Sequence, residues 1–279
     1  MTAVGSQPAQ NNSEPLIKAD KVMKDFPGDL GGHRRILNGI SFSVRAGEFI
    51  ALTGQSGCGK TTLLRILMGL SLPSAGRLTV SGKEVRGCDR KRTMVFQNSE
   101  LLPWRTALHN VELGLETAAV QAAERHRIAR HYLKLVGLEG AENRRPDQLS
   151  GGMRQRIGLA RAMAVDPDVM LMDEPFGALD AHTREALQSQ LLHLHQQMRK
   201  TIIFVTHDLD EAVLLADRVF ILSPVGTLEE IVNIDIERPR EDAARLRSTR
   251  RFNDLRYHIW ETMKQLETMT RDTSQVNAS

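Results

Sequence analysis

Two cysteines in 279 residues, Cys58 and Cys88, cannot build a disulfide framework, and the sequence points to a reducing compartment. No apolar run approaches the ~20 residues that cross a bilayer, so a membrane-spanning helix is excluded. The N-terminus lacks a basic-then-apolar leader pattern, and the expectation is a cytosolic protein. A net charge of +3 is too small to imply nucleic-acid binding. Sustained heptads are missing as well, which excludes long coiled-coil arms. What is present is ordinary for a globular protein, with 41% apolar and 25% charged residues and length enough for a sizeable core.

The most informative stretch is Gly54-Gln55-Ser56-Gly57-Cys58-Gly59-Lys60-Thr61-Thr62. It follows the apolar run Phe49–Leu52 and precedes Leu63, Leu64, Ile66 and Leu67 at helical spacing. That is the strand–loop–helix context of a phosphate-binding P-loop. Its glycines let backbone N–H groups turn inward, and the following helix adds positive charge at its N-terminus. Lys60 can reach the β- and γ-phosphates of a nucleotide, and the Thr61 hydroxyl can ligate Mg²⁺. The same helix end is expected to lower the Cys58 thiol's pKa, making it alkylatable in a way that ATP slows.

Residues 1–15 are rich in Gln, Asn, Ser and Pro and are expected to be a disordered tail. Leu16 to Val44 patterns as short strands, with Asp25–Asp29 as a loop that offers Phe26 for stacking on a nucleobase. Arg77–Val85 is a further hairpin, and Met94-Val95-Phe96 is a short strand ending in Gln97. From about 98 to 165 the pattern is helical and forms an insertion in an α/β core. Its charges, including His126 and His131, are read as a solvated face, since the spacing of those two histidines does not suit a metal.

Ser150 caps a helix opened by Gly151 and Gly152, giving a second cluster of bare amides at a positive helix end. Val169–Met172 is a buried strand delivering Asp173 and Glu174 at its carboxyl end. Asp173 can hold Mg²⁺ through water, and Glu174 can act as general base. Asp180 sits in a turn before a long helix, and the strand Thr201–Val205 ends at His207, which can contact a γ-phosphate. His193 and His195 face different ways on their helix and need no metal.

Taken together, these motifs resemble the ATP-binding subunits of ABC transporters from about Leu16 to Leu222. The glycine loop, Gln97, LSGGM, VMLMDEP, Asp180 and His207 match that family's Walker A, Q-loop, signature, Walker B, D-loop and H-loop. Met153 in place of Gln, and Thr61-Thr62 in place of Ser-Thr, are small departures. The resemblance implies a P-loop NTPase α/β fold with a mixed, mostly parallel sheet, an N-terminal antiparallel β subdomain and an inserted helical subdomain. It also implies an ATPase domain over residues 16–230, followed by a C-terminal helical extension over 231–269; residues 270–279 read as a disordered tail. A second ATPase subunit, the same or different, would pack head to tail so that Ser150, Gly151 and Gly152 close over ATP on the first. In that arrangement Phe26 would stack on adenine, and Gln97 would ligate Mg²⁺ and couple to the membrane subunit.

Gln97–Trp104, Asn110-Val111, Glu237–Arg240, Phe252 and Leu255-Arg256 resemble a narrower group of importers for nitrate, aliphatic sulfonates, taurine or bicarbonate. Leu222–Glu230 departs from that group. The implied partners are integral membrane permeases and, indirectly, an extracytoplasmic substrate-binding protein. The implied place is the cytoplasmic face of the inner membrane, with no nucleic acid bound. The competing readings are a non-transport ABC ATPase acting on ribosomes or DNA, and a small-molecule kinase, which has no use for LSGGM. The arginine-rich run from Arg238 to Arg256 is read as a solvated helix packing Leu246, Phe252, Leu255 and Ile259 on the core. Contact with acidic lipid or a partner subunit is the alternative.

Overall fold

The structure is a computed structural model describing residues 14–28, 32–240 and 242–276, with side chains to 269. Most of the expected N-terminal tail and Asp29 of the Phe26 loop lie outside the described residues, as do 277–279.

Two sheets organise the chain. β1 (Ile17–Pro27), β2 (His33–Val44), β4 (Ala75–Val80) and β5 (Lys83–Glu84) form an antiparallel sheet in the order β2-β1-β4-β5. The second sheet runs β10-β9-β3-β8-β7-β6. It comprises β3 (Phe49–Gly54), β6 (Arg92–Val95), β7 (Val169–Asp173), β8 (Thr201–Val205), β9 (Arg218–Leu222) and β10 (Leu228–Asn233). All its pairings are parallel except β9 with β10.

Successive residues of a strand face opposite sides of its sheet, and here both sides are buried. Phe49, Ala51, Met170, Met172, Ile202, Phe204, Val219 and Ile221 enter one core, shared with the helices beneath. Their neighbours Ile50, Leu52, Val169, Leu171, Ile203, Val205, Phe220 and Leu222 enter a second core, shared with α1 (Lys60–Met68) and the antiparallel sheet. That alternation is why these strands are continuous apolar runs in sequence.

The expected helical insertion is α2 (Ala107–Thr117), α3 (Ala122–Leu135) and α4 (Gly151–Ala164), each packed against the other two. Residues 118–121 form the turn between α2 and α3, and α3 is continuous from Ala122. α5 (Ala181–Met198) and α6 (Leu209–Leu215) complete the layer below the main sheet.

The C-terminal extension consists of α7 (Ala243–Ser248) and α8 (Arg250–Val276). Phe252, Leu255 and Ile259 bury against the core as expected, and Leu246 packs partly. α8 continues to Val276, past Thr270 where disorder was expected. The arginines are not a uniformly solvated set. Arg240 is 1% exposed and donates to the carbonyls of Val213, Leu214, Ala216 and Ile236, closing the C-terminal end of α6. Arg238 pairs with Asp217, Arg247 with Glu185 and Arg251 with Asp235. With those charges engaged internally, the lipid-contact reading loses its main support. Among the described residues no helix is long and apolar enough to cross a membrane.

Candidate functional site

β3 runs into the loop Gly54–Gly59 and then directly into α1. Gly54, Gly57 and Gly59 have φ of 147°, 83° and 104°, values that suit glycine. A Cβ on Gly59 would stand 2.5 Å from Leu37 Cδ2, and one on Gly54 would stand 2.6 Å from the Leu222 carbonyl oxygen. Ser56 and Gly57 are exposed at the crest. Lys60 is only 8% exposed, and its ammonium donates to the carbonyls of Gly54 (2.7 Å) and Gln55 (2.8 Å). The loop thus carries its buried cation internally while its crest stays open.

Cys58 corrects the sequence expectation. Its side chain faces the core and is 1% exposed, and burial pushes its thiol pKa up, with the charge of Lys60 opposing. The helix N-terminus reaches the Cys58 backbone, but desolvation governs the sulfur.

An open cleft of about 600 Å³ lies over the loop, lined by Phe26, Arg34, Ile36, Lys60, Thr61 and Glu174 among others. Phe26 belongs to the end of β1 rather than to a free loop, is 38% exposed, and has the Lys24 ammonium 5.1 Å from its ring centre. Arg34 and Ile36, from β2, were not singled out in the sequence. Nothing in their local pattern marks them; only the pairing of β2 with β1 carries them to the cleft.

At the carboxyl end of β7, Asp173 Oδ1 accepts from the Thr61 hydroxyl at 3.3 Å. Burial raises the Asp173 pKa, opposed by that hydrogen bond. Two hard oxygen donors at this distance form a set that suits Mg²⁺. Glu174 follows with φ of 46°, an uncommon left-handed conformation of the kind that collects at functional sites. Its amide donates to the Val205 carbonyl, and one carboxylate oxygen lies 3.3 Å from His207 Nδ1. His207 is held at the end of β8 by a buried network the sequence did not reveal. Thr206 Oγ1 donates to Glu211 at 2.6 Å, and Gln188 donates to the other Glu211 oxygen at 3.1 Å.

Gln97 does not line the phosphate cleft; it borders a separate groove with Gly151, Arg154 and Gln155. Its Nε2 lies 3.2 Å from where a Cβ of Gly177 would stand, and Glu174 Oε2 lies 3.8 Å from the same point. A missing side chain at Gly177 therefore lets Gln97 approach Glu174. Ser150 caps α4 as expected, its Oγ accepting from Met153 N at 3.3 Å. A Cβ on Gly152 would collide with Thr183 at 2.4 Å, so α4 and α5 approach closely there. Asp180 caps α5 through the Thr183 amide at 3.0 Å. Ser150, Gly151, Gly152 and Asp180 do not border the phosphate cleft.

Comparison with known proteins agrees with this geometry. The ABC transporter family matches residues 37–177. An uncharacterized ABC transporter ATP-binding protein of Methanocaldococcus jannaschii is 50% identical over 81% of this chain and 84% of its own length. The nitrate import ATP-binding protein NrtD of Synechococcus elongatus is 42% identical over 88% of this chain and 90% of its own. A dimeric post-hydrolysis structure of an ATP-binding cassette bound to ADP and Pi superposes with a TM-score of 0.70 at 32% identity, over 80% of this chain and all of that one. With the strand–loop–helix cradle and the acidic end of β7 in place, the chain belongs to the ABC transporter family, as an ATP-binding cassette that hydrolyses ATP.

Proposed function

We propose that the chain powers an importer of a small anion, of the nitrate, sulfonate or bicarbonate class, by clamping ATP between two cassettes. The supporting observation is the separation of two anion-ready helix ends. The Gly54–Thr62 cradle lines one cleft, and Gly151 lines another groove of the same chain. A second cassette turned head to tail brings Ser150–Gly152 of one chain over the cradle of the other. The relative named for nitrate import supports the substrate class, and a dimeric cassette bound to ADP and Pi supports the assembly. The partners on this reading are membrane permeases, an external binding protein acting through them, and a second cassette at the cytoplasmic face.

In this scheme the amides of Gly57–Thr61 and the ammonium of Lys60 hold the β- and γ-phosphates, while Phe26 supports the base. Thr61, Asp173 and Gln97 would hold Mg²⁺, which supplies charge neutralisation on the β- and γ-phosphate oxygens. Glu174 takes a proton from the attacking water as its oxygen bonds to the γ-phosphorus and the bond to ADP breaks. His207, starting 3.3 Å from Glu174, orients that water and contacts the γ-phosphate. Loss of the γ-phosphate removes the link between cassettes and reopens them, since ATP shifts the equilibrium only by its preference for the closed form.

Glu174→Gln tests the reading. ATP binding is retained, turnover falls by about 10²–10⁴, and an ATP-dependent dimer accumulates on size-exclusion chromatography. Wild-type hydrolysis in that variant refutes the role of Glu174. Uptake assays with nitrate and with taurine, in cells carrying the cognate permease, separate the substrate classes.

A further inference from the structure

The helical subdomain holds a cluster that nucleotide chemistry does not use. His109 and Glu112 lie three residues apart on one face of α2, and α3 brings His126 against them. One ligand atom from each of the three side chains lies within 4.8 Å of the others. The His109 and His126 rings stand nearly perpendicular, at 82°, with centres 6.2 Å apart. His126, whose spacing from His131 on its own helix does not suit a metal, thus finds its neighbours on a different helix.

The Glu112 side chain is 1% exposed, and its Oε1 has no hydrogen bond of acceptable geometry. His126 Nδ1 is 2.8 Å away, but it is also 2.8 Å from the Ala122 carbonyl, which can only accept. A proton on Nδ1 directed at the Ala122 carbonyl leaves Nε2 as the ring nitrogen with a lone pair for a metal. Neither Arg105 nor Arg125 pairs with Glu112, although the buried Arg125 Nε has no partner of its own. Arg105 is held by both oxygens of Glu116, and Arg125 donates to the Val120 carbonyl. A buried carboxylate oxygen without a partner is costly, and a bound cation removes that cost.

We propose that His109, Glu112 and His126 bind a divalent transition-metal ion of the Zn²⁺ class. Two imidazole nitrogens and one carboxylate favour such an ion over Mg²⁺ or Ca²⁺, which prefer all-oxygen sites. Outer contacts already orient the ligands. His109 Nδ1 lies 3.0 Å from the Thr106 hydroxyl, so a proton donated there leaves Nε2 free for metal. The same hydroxyl caps α2 by accepting from His109 N at 3.3 Å. Three protein ligands leave a position for water, so the ion exchanges rather than being locked in. Once bound, it ties α2 to α3. Both helices pack on α4, whose first turn carries Ser150.

The test is Zn²⁺ binding by the full-length, tag-free protein after chelator treatment, measured by calorimetry and by competition with a chromogenic chelator. No nucleotide is needed, so the outcome is independent of the transport reading. One equivalent binds, and Co²⁺ in its place gives the visible absorption of a low-coordinate site. His109→Ala, His126→Ala and Glu112→Gln each weaken binding by ~10-fold or more, the scale of losing even an outer-sphere partner. His131→Ala, an exposed residue on the same helix, leaves it unchanged. Should Glu112→Gln fail to fold, the exposed His109→Ala still decides the matter. Absence of stoichiometric binding, or binding that survives both histidine substitutions, overturns the proposal.

Discussion

The phosphate cradle and the helical insertion each bury one charged side chain, Lys60 and Glu112, and treat it in opposite ways. The Lys60 ammonium is closed off by the carbonyls of Gly54 and Gln55, as Arg240 is by those at the end of α6; His195 has one ring nitrogen 3.1 Å from the Gly47 carbonyl and the other buried without a partner. In the helical insertion Glu112 Oε1 lacks a partner of good geometry, and Gly151 at the start of α4 is exposed. The difference teaches that the cradle holds its cation ready before any ligand arrives, whereas the buried Glu112 oxygen waits for a partner, which the proposed ion would supply. Preorganisation of this kind costs little at the moment of binding.

The sharpest way to break that contrast is a pair of substitutions read by two assays. Lys60→Ala removes a buried charge from the cradle and weakens ATP binding to the isolated chain by ~10–100-fold. Ser150→Arg leaves that affinity unchanged but lowers steady-state ATPase by about 10²-fold or more, the scale of losing a positioned donor. Nucleotide affinity measured with a fluorescent analogue checks the first, and phosphate release checks the second. Equal loss of monomer affinity in both variants would erase the distinction.

Arg240→Ala should destabilise the chain by ~2–4 kcal/mol in urea unfolding, because several carbonyls lose a charged donor. An unchanged midpoint would show that the closure of α6 is incidental. His195 gives a pH-dependent version of the same comparison. Burial lowers its pKa from the ordinary 6.5 to about 4. The unfolded chain takes the proton first as pH falls, so its stabilising share is full above pH 6.5 and drains away between 6.5 and 4. At most about 3 kcal/mol is involved. His195→Gln, which keeps a donor for Gly47, should flatten that part of the stability curve; an identical curve would discount the site. The smallest effect is at Cys58. Its buried thiol should react with iodoacetamide far more slowly than exposed Cys88, and fast, ATP-sensitive labelling would place it at the surface after all.

Much of the site was legible in the sequence because its parts are local. A glycine loop between a buried strand and a helix, acidic residues at the end of β7 and a Ser cap before two glycines each declare themselves within about ten residues. Where the reading failed, a neighbour distant in the chain decided. Cys58 was judged by the helix it precedes, yet its sulfur lies in the core between the sheets. Arg240 looked like one of a solvated run, and it is instead fully enclosed.

The sequence alone determined the alternation that buries the parallel strands on both faces, the helix spacing, and the order of phosphate-binding and acidic segments, because periodicity and capping act over short stretches of chain. Tertiary structure alone decided which side chains meet: Arg34 at the cleft, Gln188 with Glu211, and His109 with Glu112 and His126. Such meetings depend on how separate elements pack, and burial then sets the electrostatics of each group, which no local pattern records.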